Sequence, residues 1–268
     1  MNKATRYLAF WLLLTVFGAA SPGVSAQAAA GPDPVPVYAL LSLIGDRLDT
    51  VVRRPQTGSL VDNNLRSSLP IADPVFDDVA VAAAIKAIRQ AVPNAEFAAI
   101  NTRSPVLFEK QRTLFEVANG VLQMPEAVRN VIREQGAGRL VLIGKLRDDA
   151  QVTVDSGMID GAGKLEGLGF YLDGTWESVQ NNENSGASQG GRGFIAPYTY
   201  LQLSLVDFPS GRVLGRRSIK ASQAIGSGRA QQSTDDPWAA LNAAEKVRMI
   251  NALIDGEVGK AMAALMAR

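Results

Sequence analysis

Residues 198–222 read YTYLQLSLVDFPSGRVLGRRSIKAS, two strand-like runs around a turn. Apolar residues alternate from Tyr198 to Val206, Asp207-Phe208-Pro209-Ser210-Gly211 carries turn chemistry, and residues 212–221 return with the same period. The pattern predicts a hairpin. Upstream, residues 139–146 (RLVLIGKL) are almost continuously apolar, as a strand buried on both faces requires, and belong near the sheet centre. Residues 37–44 and 48–53, joined by Gly45-Asp46, read as a further hairpin that opens the domain. Residues 96–101 form a short strand, and residues 63–74 a turn-rich connection.

Helical periods fall mainly in the first half and at the end. Asp77 or Asp78 is placed to cap a helix in which Val81, Ile85, Ile88 and Val92 recur at 3.6 spacing before Pro93 stops it. Ser104-Pro105 and Pro125 mark the starts of two more helices, the second ended by Gly136. Residues 238–267 form a long helix with Asp235 or Asp236 as cap and Leu241, Val247, Ile250, Ile254, Val258 and Leu265 on or near one face. Strands in hairpins with helices between them predict a single α/β domain of α+β type over residues 37–268. Its mixed, largely antiparallel sheet is packed by helices on one face. A doubly wound nucleotide fold is the alternative.

The amino terminus carries Lys3 and Arg6, an apolar run from Tyr7 to Ala20, a break at Ser21-Pro22-Gly23, and small residues in Val24-Ser25-Ala26. This is the layout of a signal peptide over residues 1–26, cleaved after Ala26, and it predicts a periplasmic or secreted protein. The run is short for a membrane span, and no later stretch is apolar enough for one. Residues 27–36, rich in Ala, Gly and Pro, read as a flexible tether.

Composition excludes more than it assigns. The formal charge is +1, and loss of Lys3 and Arg6 brings it to −1, which gives no electrostatic case for nucleic acid. The chain has no cysteine and no histidine. That rules out disulfides, thiolate nucleophiles and Ser-His-Asp or Cys-His systems, and it removes the usual zinc ligands. No metal or cofactor is expected, and any catalysis would rest on carboxylates, Lys, Tyr or Ser.

The order of elements, with AGRLVLIGKL as a strand, a long excursion, the hairpin at 198–222 and a closing helix, resembles a known envelope fold. It is similar to the periplasmic α/β domain shared by the curli secretion lipoprotein, the lipoprotein activators of peptidoglycan synthases and the TolB amino-terminal domain. Residues 138–144 and 203–214 carry the likeness, which spans residues 75–217 as an order of elements. The resemblance implies a binding or assembly role with an envelope protein partner, and it transfers no catalytic residue. The lipidated cysteine of the lipoprotein members is absent here, so lipid anchoring is not implied.

The excursion at residues 155–197 is rich in glycine and aromatic residues. Gly161-Ala162-Gly163-Lys164 lacks the phosphate-loop pattern, because Met158 stands where a glycine is needed and Leu165 where Ser or Thr is needed. Glycines so spaced let a strand bend or approach another backbone. The sharper reading makes Phe170, Tyr171 and Trp176, with Asp160, Glu166 and Asp173, a ligand-facing rim in which rings give contact area and carboxylates fix orientation. If two of Asp155, Asp160, Glu166 and Asp173 converged, carboxylate-dependent glycan hydrolysis would be the second function. Residues 181–193 lack apolar anchors and read as a mobile loop. Arg212, Arg216 and Arg217 form a basic cluster that suits a guarded edge strand or partner recognition.

Overall fold

The computed structural model describes residues 35–54, 62–154, 157–181, 188–226 and 236–267, with the backbone alone for 177–181 and 188–192. The predicted signal peptide and nearly all of the tether lie outside the described residues. The described residues belong to one compact unit that begins at Val35.

Ten strands form one sheet. They are β1 (Val37–Ser42), β2 (Arg47–Val52), β3 (Leu65–Pro70), β4 (Glu96–Ile100), β7 (Arg139–Lys145), β8 (Arg147–Val154), β9 (Gly157–Asn181), β10 (Ser188–Asp207), β11 (Val213–Ser222) and β12 (Ile225–Gly226). Two further strands, β5 (Val117–Ala118) and β6 (Val121–Leu122), pair with each other alone. The helices are α1 (Val75–Ala91), α2 (Pro105–Glu109), α3 (Gln111–Leu114), α4 (Glu126–Glu134) and α5 (Ala243–Met266). The sheet is mixed and mostly antiparallel, as the sequence predicts. The α/β architecture agrees with the resemblance at that coarse level only.

β10 organises the sheet. One of its sides pairs with β11 from Tyr198↔Ser222 onward, confirming the predicted hairpin, and with β12. Its other side pairs first with β9, up to Tyr200↔Gly167, and then with β7, from Leu201↔Lys145 to Asp207↔Arg139. β7 and β9 therefore lie end to end in one column and run the same way. β1 is parallel to β7, and β2 is parallel to β9, so β1 and β2 are likewise end to end. β4 and β3 complete the outer column.

This corrects the opening hairpin. At Gly45-Asp46 the chain jogs and continues in the same direction instead of reversing. The reason lies in α1: Asp77 is buried, and its carboxylate accepts the backbone N–H groups of Ile44 (2.9 Å) and Gly45 (3.2 Å). The end of β1 is thus tied to a helix and not to a returning strand. A Cβ on Gly45 would lie 2.5 Å from Asp77 Oδ2, so glycine is required by proximity.

Helices cover both faces, not one. On the first face α1 and α5 bury Ala84, Ile88, Ile250, Ile254 and Val258 against Leu40, Val141, Ile143 and Leu203. α5 is capped by Asn242, which forms a capping box with Glu245, while Asp236 caps the preceding 3₁₀ turn Pro237–Ala240. The buried stripe of α5 is Ile250, Ile254, Val258, Met262 and Leu265, and Val247 is exposed. On the second face Phe108, Phe115, Val128 and Ile132, from the α2–α4 region, cover Ala39, Leu41, Leu140 and Leu142.

The rest of the second face is covered by strands. Past Leu146 the chain continues as β8, which pairs with residues 157–166 of β9 before β9 joins β10 at Gly167. This two-stranded flap lays Val152 and Leu165 over Val51, Tyr171, Phe194, Tyr198 and Tyr200. Two phenols pin it, because Ala162 N–H donates to Tyr171 Oη at 2.9 Å and Gln151 N–H to Tyr200 Oη at 2.8 Å. Beyond the flap, the backbone ladder of β9 and β10 runs on to Asn181↔Ser188, so most of the expected loop at 181–193 is strand, with residues 182–187 outside the described set. Within the turn-rich connection expected at residues 63–74 the chain forms β3, a fully exposed edge strand.

Candidate functional site

The proposed rim does not assemble. Phe170 and Tyr171 are neighbours in β9, and period two sends them to opposite faces, each almost completely buried. Trp176 packs edge-on against Phe194 at 6.3 Å. Asp173 is only 1% exposed. It takes Arg53 Nη1 at 2.6 Å and both the N–H and hydroxyl of Thr175, so its role is structural. Asp160 is exposed on the flap opposite Gln151, and Glu166 sits at the base of the flap beside Arg147 at 3.7 Å.

These placements also bear on hydrolysis. Asp160, Glu166 and Asp173 have separate surroundings, whereas a carboxylate pair must flank one scissile bond. Asp155 lies outside the described residues. Among the described residues the hydrolase arrangement is not met.

What the fold does build is a cleft of about 300 Å³ on the second face, in the gap between the helical cover and the flap. Its floor is Leu142 and Gly144 of β7 with Gln202 and Ser204 of β10; the registers Leu142↔Ser204 and Gly144↔Gln202 put all four on one face. Ser204 also pairs with Arg216 of β11, which brings that guanidinium to the same opening. The near wall is α3 and the segment after it, with Arg112, Phe115 and Glu116, and the far wall is Leu146 and Arg147, where the flap departs.

Gln111 fixes the near wall. Buried, it donates from Nε2 to the carbonyls of Leu43 (3.0 Å) and Phe108 (2.8 Å), and its Oε1 accepts the N–H of Lys145 at 2.7 Å. One side chain thereby joins α3 to the carboxyl ends of β1 and β7. Lys145 itself turns to the other face, where its buried ammonium is ion-paired with Asp46. Ligands commonly lie beyond the carboxyl ends of parallel strands, and this cleft opens beside those of β1 and β7.

The charge of the cleft is unbalanced. Arg112, Arg147 and Arg216 face it with Glu116. Arg147 has Glu166 beside it, but among the described residues neither Arg112 nor Arg216 makes an ion pair. Leu43, Phe115, Val117, Leu142 and Leu146 supply apolar surface between these groups. An anionic group attached to an apolar portion meets both requirements, with guanidinium forks for the anion. Among the described residues the one hydroxyl lining the cleft, Ser204, makes no hydrogen bond to a base. Of the predicted basic cluster only Arg216 reaches it; Gln111, Arg112 and Arg147 come from other segments and carried no one-dimensional signal.

No family model matches the chain, and no curated protein matches it. Among solved structures it is similar to the PelC dodecamer from Paraburkholderia phytofirmans, at 10% identity and a TM-score of 0.32 over 89% of this chain and 94% of that one. It is also similar to protein XCC0632 from Xanthomonas campestris, at 9% identity and a TM-score of 0.34 over 86% and 81%. A third is the protein CT253 from Chlamydia trachomatis, at 10% identity and a TM-score of 0.28 over 84% and 98%. At these TM-scores the likenesses carry no argument about what this chain does. Among the described residues no helix is long and apolar enough to cross a membrane.

Proposed function

We propose that the chain is a non-catalytic binding or assembly protein of the cell envelope, and that its contact site is the arginine-lined cleft between α3 and the flap. The observation that carries this reading is the presence of two guanidiniums, Arg112 and Arg216, that have no carboxylate partner among the described residues, around a partly apolar opening held by Gln111. Such a site orients an anionic side chain or carboxyl terminus of a partner and offers no machinery to transform it. The signal-peptide layout of residues 1–26 supports the envelope as its place of work.

The test is affinity capture of the chain from a cross-linked envelope fraction, beside the double variant Arg112→Glu, Arg216→Glu checked for folding by circular dichroism. One envelope protein recovered by the wild type and lost with the folded variant is the expected result. Recovery of nothing specific, or equal recovery by both, would overturn the proposal.

A further inference from the structure

The strand order ends at β3, and among the described residues no strand pairs with its outer side. The ladder shows which backbone groups that side carries. Ile71 N–H donates to the Asp46 carbonyl at 2.8 Å, and Arg53 N–H donates to the Leu172 carbonyl at 2.8 Å. Inward and outward residues alternate along an antiparallel pair, so Leu65, Ser67 and Leu69 bond to Val52, Thr50 and Leu48, while Asp49 and Val51 turn to β9. The N–H and C=O groups of Arg66 and Ser68 therefore point away from the sheet. Pro70 falls at an outward position as well, where its missing N–H costs the β2 ladder nothing.

This edge is not blunted. Exposed edges are ordinarily spoiled for pairing by a bulge, by a charge held over the strand or by proline within it. The β2–β3 register runs without a shift from Arg47↔Pro70 to Val52↔Leu65. Arg66, the charged residue of the strand, is turned back onto Asp62 at 2.6 Å and onto the Lys164 carbonyl, and Pro70 is the last residue. β11 on the far side of the sheet is different, with Arg216, Arg217 and Lys220 along it and a register shift in its pairing. Leu65 and Leu69 stand opposite Val52 and Leu48 on the side covered by α1, yet they are 49% and 62% exposed. β3 thus carries an apolar strip past the reach of the helices, beside unpaired backbone donors and acceptors.

We propose that this edge binds the same edge of a second copy of the chain, β3 antiparallel to β3 about a two-fold axis at Ser67, so that two sheets join into one. The strand is its own complement in that register. Arg66 of each copy meets Ser68 of the other and exchanges both backbone hydrogen bonds with it, and Leu65 of each lies opposite Leu69 of the other. Ser67, a small side chain, faces itself at the axis. Sliding the pair by two residues loses this match in either direction. One slip sets Arg66 against Arg66, and the other sets it against Pro70, which has no N–H to give. An unrelated strand would have to carry apolar residues at both leucine positions, whereas a second copy supplies them by symmetry.

The test is sedimentation equilibrium of the full chain at concentrations from about 5 to about 500 μM, where so short an edge should give a reversible dimer with a dissociation constant on the order of 100 μM. Ser68→Pro deletes an outward N–H and leaves the β2 ladder whole, and Leu69→Lys sets a charge opposite Leu65 at a site open to solvent. Each should weaken association about tenfold or more with an unchanged circular dichroism spectrum, and Leu69→Lys decides alone if the proline variant does not fold. Because the chain has no cysteine, Ser67→Cys places a single thiol of each copy at the axis. Mild oxidation should link it into a dimer much faster than it links Glu134→Cys, at an exposed position of α4. A chain that stays monomeric throughout this range, undiminished association of the folded variants, or Ser67→Cys that links no faster than Glu134→Cys each overturns the proposal.

Discussion

The Asp77 carboxylate, in the first turn of α1, accepts the backbone N–H of Ile44 at 2.9 Å across 33 residues of sequence. This bond, with its companion from Gly45, decides that β1 and β2 continue in line. Asp77→Ala should leave both buried donors unpaired and cost about 2–3 kcal/mol, read as a lowered denaturant midpoint at unchanged m-value.

The same carboxyl gives a pH signature. Burial, the largest influence, pushes its pKa above the ordinary carboxylate range, against the lowering effect of the hydrogen bonds from Ile44 and Gly45. The folded state therefore holds the proton more tightly than the unfolded one. Its stabilising contribution is fully present below the ordinary carboxylate pKa and fades as pH rises through the raised value. Relative to Asp77→Asn, the wild type should gain stability as pH falls from 7 toward 4. A flat or falling difference in paired denaturation curves would contradict the burial argument.

Gly169→Ala tests close backbone approach. The added Cβ would lie 2.0 Å from the Asp49 carbonyl, a backbone atom fixed by the β2–β9 ladder. A loss of about 3 kcal/mol or more, or failure to fold, is expected, whereas Gly174→Ala, with open space at its Cβ, should stay within about 1 kcal/mol. Thermal unfolding of the two variants side by side decides it.

Arg53→Ala removes the cationic partner of Asp173, a carboxylate that is 1% exposed. Thr175 still donates twice to Asp173, which softens the effect, so a loss of about 2 kcal/mol is expected. Asp173→Asn in the Arg53→Ala background should recover part of it, because the unpaired buried charge is gone. A double-mutant cycle in urea measures this coupling.

Asn242→Ala should cost about 1 kcal/mol by removing the capping box at the start of α5. An unchanged denaturant midpoint would place the start of the helix elsewhere than Asn242.

Much of the fold was legible where burial repeats along one element. The β10–β11 hairpin, the apolar β7, α1 and the stripe of α5 all carry their period in the chain. β3 was not legible, because LRSSLP lies exposed at an edge and neither of its faces needs apolar residues. The straight passage from β1 to β2 was hidden for a different reason. Gly45-Asp46 suits a reversal as well as a jog, and the deciding group, Asp77, lies on another element. The helices at 105–109 and 126–134 carry their start signals in the chain, but their place on the second face does not show, because alternate residues of β1 and β7 are buried on both sides, which a continuous apolar run records without saying what covers each face. As for the site, period two alone separates Phe170 from Tyr171. Arg216 stood out as part of a basic cluster, while Arg112 and Arg147 reach the cleft only because the sheet and α3 bring distant segments together.

The end-to-end columns set a schedule for the chain as it emerges. β1 finds its central neighbour only when β7 has been made, and β2 waits for β9, some 120 residues further on, where Arg53 meets Asp173. β10 then joins both columns at once. β3 gives β2 a local partner, but the strand group around β1 and the group around β2 share a neighbour only in β10. The architecture delays the joining of those two groups until β10 has emerged.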